Sequence, residues 1–172
     1  NAITAAKKAF VLWADTPLSN RARIFFKFRE LLEKNKAELA SIVVREHGKS
    51  IDDARGSIAR GIELVEYHCA LVSQLQGSAT LNVSRDIDCL TTRHPLGVCV
   101  GVSPFNFPVM VPIWMMMPAI ACGNSFILKP SELDPSASLR LVELLTDAGL
   151  PPGVVNCVQG GRDVVNHLIT HD

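Results

Sequence analysis

The 172-residue chain carries no surplus of charge: 17 Lys and Arg stand against 17 Asp and Glu. Proteins that bind polyanions or anionic lipid hold a basic excess, so neither nucleic acid nor a membrane surface is indicated as a partner. No apolar run reaches the ~20 residues that a bilayer span needs. The longest, Met110 to Cys122, is broken by Pro112 and Pro118 and reads as a core helix. No signal-peptide pattern opens the sequence, which starts directly in helical sequence and carries no targeting segment. No C-x-x-C pair occurs among the five cysteines, Cys69, Cys89, Cys99, Cys122 and Cys157, so zinc is not expected and the metal class is set aside. An odd number of widely spaced cysteines, all but Cys89 in apolar surroundings, reads as buried reduced thiols in a reducing compartment. Neither G-x-G-x-x-G nor a P-loop is present, and Gly160-Gly161 reads as a plain turn.

Hydrophobic residues make up 48% of the chain and charged ones 20%, enough for one domain with a core. Ile3, Ala6, Phe10 and Trp13 form a helical stripe that Pro17 ends. A long helix is expected from about Asn20 to Glu46, capped by Ser19 and stopped by Gly48, with Arg and Glu on its outer face. A third runs from Ser50 to Val72, with Ser50 as cap and Ile51, Ala54, Ile58, Ile62, Val65, Cys69 and Val72 as its buried stripe. Thr80 to Thr92 alternates weakly around Ser84-Arg85-Asp86, a hairpin whose short strands need a partner sheet. From Leu96 onward, strands 98–102, 125–128 and 154–158 alternate with helices 109–122, 135–148 and 163–169, and Asp134-Pro135 serves as a helix start. That order predicts an α/β fold with parallel pairing. Both ends read as cut.

The most specific stretch is Leu96 to Glu132. Val98 to Val102 reads as a strand buried on both faces, and it ends in Ser103-Pro104-Phe105-Asn106-Phe107-Pro108. Gly123-Asn124 stops the following helix, and a second strand delivers Lys129-Pro130-Ser131-Glu132. Both polar clusters follow the carboxyl end of a strand, the edge where open parallel sheets bind ligands. Asn106 offers a neutral carboxamide donor suited to a charge that appears only in a transition state. Its plain alternative is an Asn that stabilises its own turn. Lys129 and Glu132 suit ribose hydroxyls as donor and acceptor, or else form a surface ion pair. Arg60, off the buried stripe, reads most plainly as a solvated Arg beside Glu63 and Glu66.

Pro104-Phe105-Asn106-Phe107-Pro108, with its spacing to Lys129-Pro130-Ser131-Glu132, resembles the paired motifs of the aldehyde dehydrogenase superfamily. The Phe form, followed by Val-Pro-Ile-Trp-Met, is most similar to the CoA-acylating, malonate-type semialdehyde branch, and the resemblance runs over essentially the whole chain. It implies N-terminal helices (1–78) and part of a Rossmann-like NAD-binding sheet (95–172) around an oligomerisation-domain hairpin (79–94). It implies oxidation of malonate or methylmalonate semialdehyde to acetyl-CoA or propionyl-CoA, with NAD as cofactor and coenzyme A as co-substrate. Within it Asn106 is the oxyanion donor, Lys129 and Glu132 hold the adenosine ribose, and Ser103 and Phe105 line the nicotinamide side. Arg60, in Arg60-Gly61-Ile62-Glu63, resembles the branch's R-G-[IL]-E and suits a substrate carboxylate. Leu133 stands where the branch usually has Arg, a departure that bears on one polar contact to the cofactor. The resemblance further implies a homo-oligomer, a dimer of dimers, in the mitochondrial matrix of a eukaryote or the cytoplasm otherwise. It puts the family's catalytic cysteine and general-base Glu after Asp172, so the chain alone is expected to be inactive. A non-acylating aldehyde dehydrogenase and an inactive binding or assembly module stay open as alternatives.

Overall fold

The computed structural model describes residues 2–171. Helix α1 (Ala2–Ala14) is followed by α2 (Leu18–Lys34), α3 (Lys36–His47), α4 (Ile51–Cys69) and the single turn α5 (Leu71–Gln74). The hairpin β1 (Ser78–Ser84) and β2 (Ile87–Thr91) comes next. Strands β3 (Val98–Val102), β4 (Ser125–Lys129) and β5 (Val155–Cys157) then alternate with α6 (Met110–Ala121), α7 (Ser136–Asp147) and α8 (Arg162–Ile169). The expected α/β alternation is what forms, and the three strands pair in parallel in the order β3-β4-β5.

Strand β4 is the centre of the layering. Every residue of it is buried, and alternation sends its side chains to opposite faces. Phe126 and Leu128 enter the large core, where Ile113, Met116, Met117 and Ile120 of α6 and Leu141 and Leu144 of α7 pack. Ile127 faces the other way, onto Ile3 and Ala6 of α1 and Leu168 of α8. Helix α6 thus lies between the Phe126 and Leu128 face of the sheet and α4, while α1 covers the opposite face. The approach of α6 to α4 is close at Gly61, where a Cβ would come within 2.9 Å of the Ile113 Cδ1.

Several local expectations are corrected. The long second helix is two helices that meet at Asn35, whose Nδ2 and backbone N both donate to the Leu31 carbonyl. Ser19 caps nothing, because Pro17 precedes the first helical residue and no side chain closes that end. Gly48 does stop α3, at φ 83, a conformation that a Cβ would strain. Ser50 caps α4 by accepting from the Asp53 N–H, whereas Ile51 and Val72, at the ends of its stripe, are exposed. Strand β3 is not buried on both faces: it has a neighbour on one side only among the described residues, and Val100 and Val102 are exposed. None of the thiols is fully buried either: Cys69, Cys99 and Cys157 are half-buried, and Cys122 is exposed along with Cys89. The hairpin turns at Arg85-Asp86 with Asp86 at φ 61, and all of its residues are exposed.

Candidate active site

The two polar loops sit side by side because β3 and β4 are parallel neighbours in register. Val102 pairs with Lys129, and the next amide, Ser103 N–H, donates to the Lys129 carbonyl at 3.0 Å. The Ser103 hydroxyl is buried with no hydrogen-bond partner. Lys129 is buried as well, at 4% exposure, and its ammonium donates to Glu132 Oε2 at 2.8 Å. The pair is therefore not the exposed surface pair that the plainer reading described, although Glu132 itself reaches solvent. The Lys129 hydrogen bond holds the Glu132 carboxyl below its ordinary pKa. A buried cation, a solvated carboxylate and an orphaned hydroxyl at one strand edge suit the ribose and amide groups of a dinucleotide.

Asn106 and Arg60 come to a second place together. Both line an open cleft of about 480 Å³, with His47, Lys49, Asp52, Asp53, Gly56, Ser57 and Phe107. Lys129 and Glu132 are not among its walls. Asn106 is exposed, and its carboxamide makes no hydrogen bond among the described residues. Its backbone carbonyl instead accepts from Lys49 Nζ at 2.7 Å. Arg60 has no carboxylate within ion-pair reach among the described residues. The Glu66 expected beside it pairs with Arg29 at 2.7 Å. The acids in the cleft are engaged too: Asp53 accepts from the Ser50 hydroxyl and Asp52 pairs with Arg55. Phe105 stacks on the His47 ring at 4.4 Å between centroids and 11° between planes.

Three of the thiols are held in the neutral form by their surroundings. Burial pushes the Cys69 and Cys157 thiols up to about 11 and raises Cys99 as well. Among the described residues, no three His, Cys, Asp or Glu side chains gather as metal ligands, and no helix is long and apolar enough to cross a membrane.

Sequence reasoning missed Asp134. It does not start α7; Glu46 reaches across from α3 and accepts from both the backbone N–H and the hydroxyl of Ser136. Asp134 is left 1% exposed, with neither carboxylate oxygen in a well-formed hydrogen bond among the described residues. Burial, with a lesser push from nearby Glu46, raises its pKa above the ordinary carboxylate value, against the opposing pull of the Ser131 hydroxyl, His47 and Lys49. A raised native pKa means that this carboxyl favours folding below its ordinary pKa and loses that advantage as pH rises through the raised value. Asp134→Asn, which removes the buried charge, is accordingly expected to raise Tm at pH 7. The two proteins should converge at acid pH. Melting curves with the same gap at both pH values would refute this.

An open α/β layer with two polar loops at the carboxyl edge of adjacent parallel strands is the arrangement of the class of proteins that take their ligand at that edge. The chain belongs to the aldehyde dehydrogenase family, whose model matches residues 1–172. It is 51% identical over 171 residues to malonate-semialdehyde dehydrogenase 1 of Geobacillus kaustophilus, covering 99% of this chain and 35% of that one. It is 50% identical over 167 residues to the acylating, mitochondrial methylmalonate-semialdehyde dehydrogenase of Arabidopsis thaliana, covering 97% of this chain and 28% of that one. Among solved structures, the methylmalonate-semialdehyde dehydrogenase of Oceanimonas doudoroffii superposes with a TM-score of 0.97 at 49% identity, covering 99% of this chain and 35% of that one. A Sinorhizobium meliloti 1021 protein assigned to the same activity and solved with NAD gives 0.96 at 48% identity, covering 99% and 35%. The chain thus spans about a third of the length of these relatives.

Proposed function

We propose that the full-length protein is an NAD-dependent, CoA-acylating dehydrogenase of malonate or methylmalonate semialdehyde, to which this chain supplies the oxyanion donor, the carboxylate receptor and one edge of the cofactor site. The observation that carries the reading is the shared cleft, where a carboxamide donor unused by its own turn faces the same space as an Arg with no carboxylate partner. A semialdehyde bearing a carboxylate has complementary groups at its two ends. Arg60 would take the carboxylate as a fork of N–H donors. The Asn106 amide would meet the aldehyde oxygen as a thiolate adds to the carbonyl carbon and the π electrons move onto that oxygen. The thiolate comes from a cysteine outside this chain, as the family resemblance implies. Lys129 and Glu132 would hold the adenosine ribose, with Ser103 and Phe105 toward the nicotinamide. NAD, when bound, accepts the hydride that converts the adduct to a thioester. The carboxylate carbon leaves as carbon dioxide, its bonding pair passing to the α-carbon of the thioester, which takes up a proton. Attack of the CoA thiol on the acyl carbon moves the acyl group to CoA and returns the cysteine as a thiol with the proton CoA gives up.

The hairpin at 79–94 fits an oligomerisation role in a dimer of dimers. Leu81, Val83, Ile87 and Leu90 are all more than half exposed, apolar surface that gains by burial against another subunit. The compartment would be the mitochondrial matrix in a eukaryote and the cytoplasm otherwise.

Arg60→Ala in the full-length protein tests the substrate assignment. Losing a charge-assisted pair is expected to weaken binding by about 1.5–3 kcal/mol, raising KM for methylmalonate semialdehyde roughly ten- to a hundredfold while leaving propanal nearly unchanged. Equal shifts for both aldehydes would assign Arg60 to solvent.

A further inference from the structure

The corner that ends α3 grips the Asn106 loop at three consecutive residues. His47 lies flat on Phe105. Lys49 donates to the Asn106 carbonyl at 2.7 Å and holds its ammonium 4.6 Å from the centroid of the Phe107 ring. Gly48, left-handed between them, turns the chain so that both side chains face the same loop. Both ring nitrogens of His47 are buried without a hydrogen-bond partner among the described residues, so its contact with the loop is the stacked face. The ends of the loop are tied elsewhere, by Ser103 N–H to the Lys129 carbonyl and by the Ser138 hydroxyl to the Pro108 carbonyl. Between them Asn106 is exposed and Phe105 39% exposed. Since Lys49 takes the backbone carbonyl, the carboxamide is released from turn duty and stays open to the cleft. A donor aimed at developing charge must be held before the reaction, because reorientation during it removes the advantage.

We infer that Lys49, with His47, is a positioning residue for Asn106: it presets the carboxamide by holding the backbone carbonyl of that residue. This rests on the oxyanion reading of Asn106. The test is a double-mutant cycle in the full-length protein with semialdehyde, NAD and CoA, joined to NAD titration. Lys49→Met keeps the length of the stem and removes the donor and the charge. It is expected to lower kcat about tenfold, with KM and NAD affinity within about twofold, since a small misplacement of a catalytic donor is felt in the rate. Lys49→Arg, which can still reach the carbonyl and the ring, should recover most of the rate. In an Asn106→Ala background, Lys49→Met should lose less than about twofold more, because the group it positions is gone.

A merely structural lysine gives another pattern, the same fold loss in both backgrounds, and that result would overturn the proposal. So would full kcat for Lys49→Met alongside a crippled Asn106→Ala, which leaves the oxyanion reading standing. An Asn106→Ala protein with full kcat would instead remove the oxyanion reading and this proposal with it. If Lys49→Met fails to fold, His47→Leu runs the same cycle on the other arm. A loss absorbed by Asn106→Ala supports the corner, and full kcat or an additive loss sinks it.

Discussion

Asn106→Ala in the full-length protein is expected to lower kcat by ~10²–10³, the usual loss when one oxyanion donor is removed. NAD affinity should hardly change, because Lys129 and Glu132 stand on a different strand end and do not line the cleft of Asn106. Asn106→Asp should be at least as damaging, since a carboxylate would face the negative charge that develops on the aldehyde oxygen. A turn-stabilising Asn predicts the reverse order. Asp is also a good turn residue and would be nearly silent, while Ala would lower stability together with rate. The structure weighs against that alternative: the carboxamide bonds nothing in its turn, and the fixed contact is the carbonyl held by Lys49. Measuring kcat and Tm for both variants separates the two, and an active, stable Asn106→Asp enzyme would falsify the oxyanion role.

The second large effect is expected at Arg21, far from the cleft. Arg21 is 4% exposed and pairs with no carboxylate; Nη1 donates to the Ala121 carbonyl at 3.0 Å and Nη2 to the Ala14 carbonyl at 2.8 Å. Those are the last residues of α6 and α1, where unsatisfied carbonyls carry the negative end of each helix dipole. One guanidinium therefore closes two helix ends, with the Trp13 ring 5.6 Å beneath it. Burial pushes its pKa down, yet an Arg keeps its proton. Gly123, at φ 95, completes the fit: a Cβ there would lie 3.0 Å from both guanidinium nitrogens. Arg21→Met removes two charge-assisted hydrogen bonds of about 1.5–3 kcal/mol each. After the relief of desolvation, a net loss of about 3 kcal/mol is expected. Amides at the ends of α1 and α6 should then exchange with deuterium on the order of a hundredfold faster, and together, in the full-length protein. Arg21→Lys, a point charge that cannot span both carbonyls, should fall between. Unchanged protection at either helix end would remove the two-ended role.

The sequence by itself determined the strand–helix alternation after Leu96, the cap at Ser50, the stop at Gly48 and the two motif loops. Each of these is a local matter: alternation, a hydroxyl three residues from the amide it caps, a glycine where φ is positive, and a strand that ends in polar residues. It also determined that the two loops share a sheet edge, since parallel pairing leaves no other arrangement. Only the tertiary structure decided that Ser103 sits directly on Lys129, that Arg60 and Asn106 open onto one cleft, and that Lys49 grips the Asn106 loop from 57 residues away. Nor could the sequence show that Arg21, one of several charges on an amphipathic helix, would be the one turned inward. Helical periodicity says which face is buried, but not which carbonyl ends of other helices that face will meet. Asp134 and Glu46 show the same limit: local rules made the nearer acid the helix start, while chain packing brought an acid 90 residues distant to the Ser136 amide.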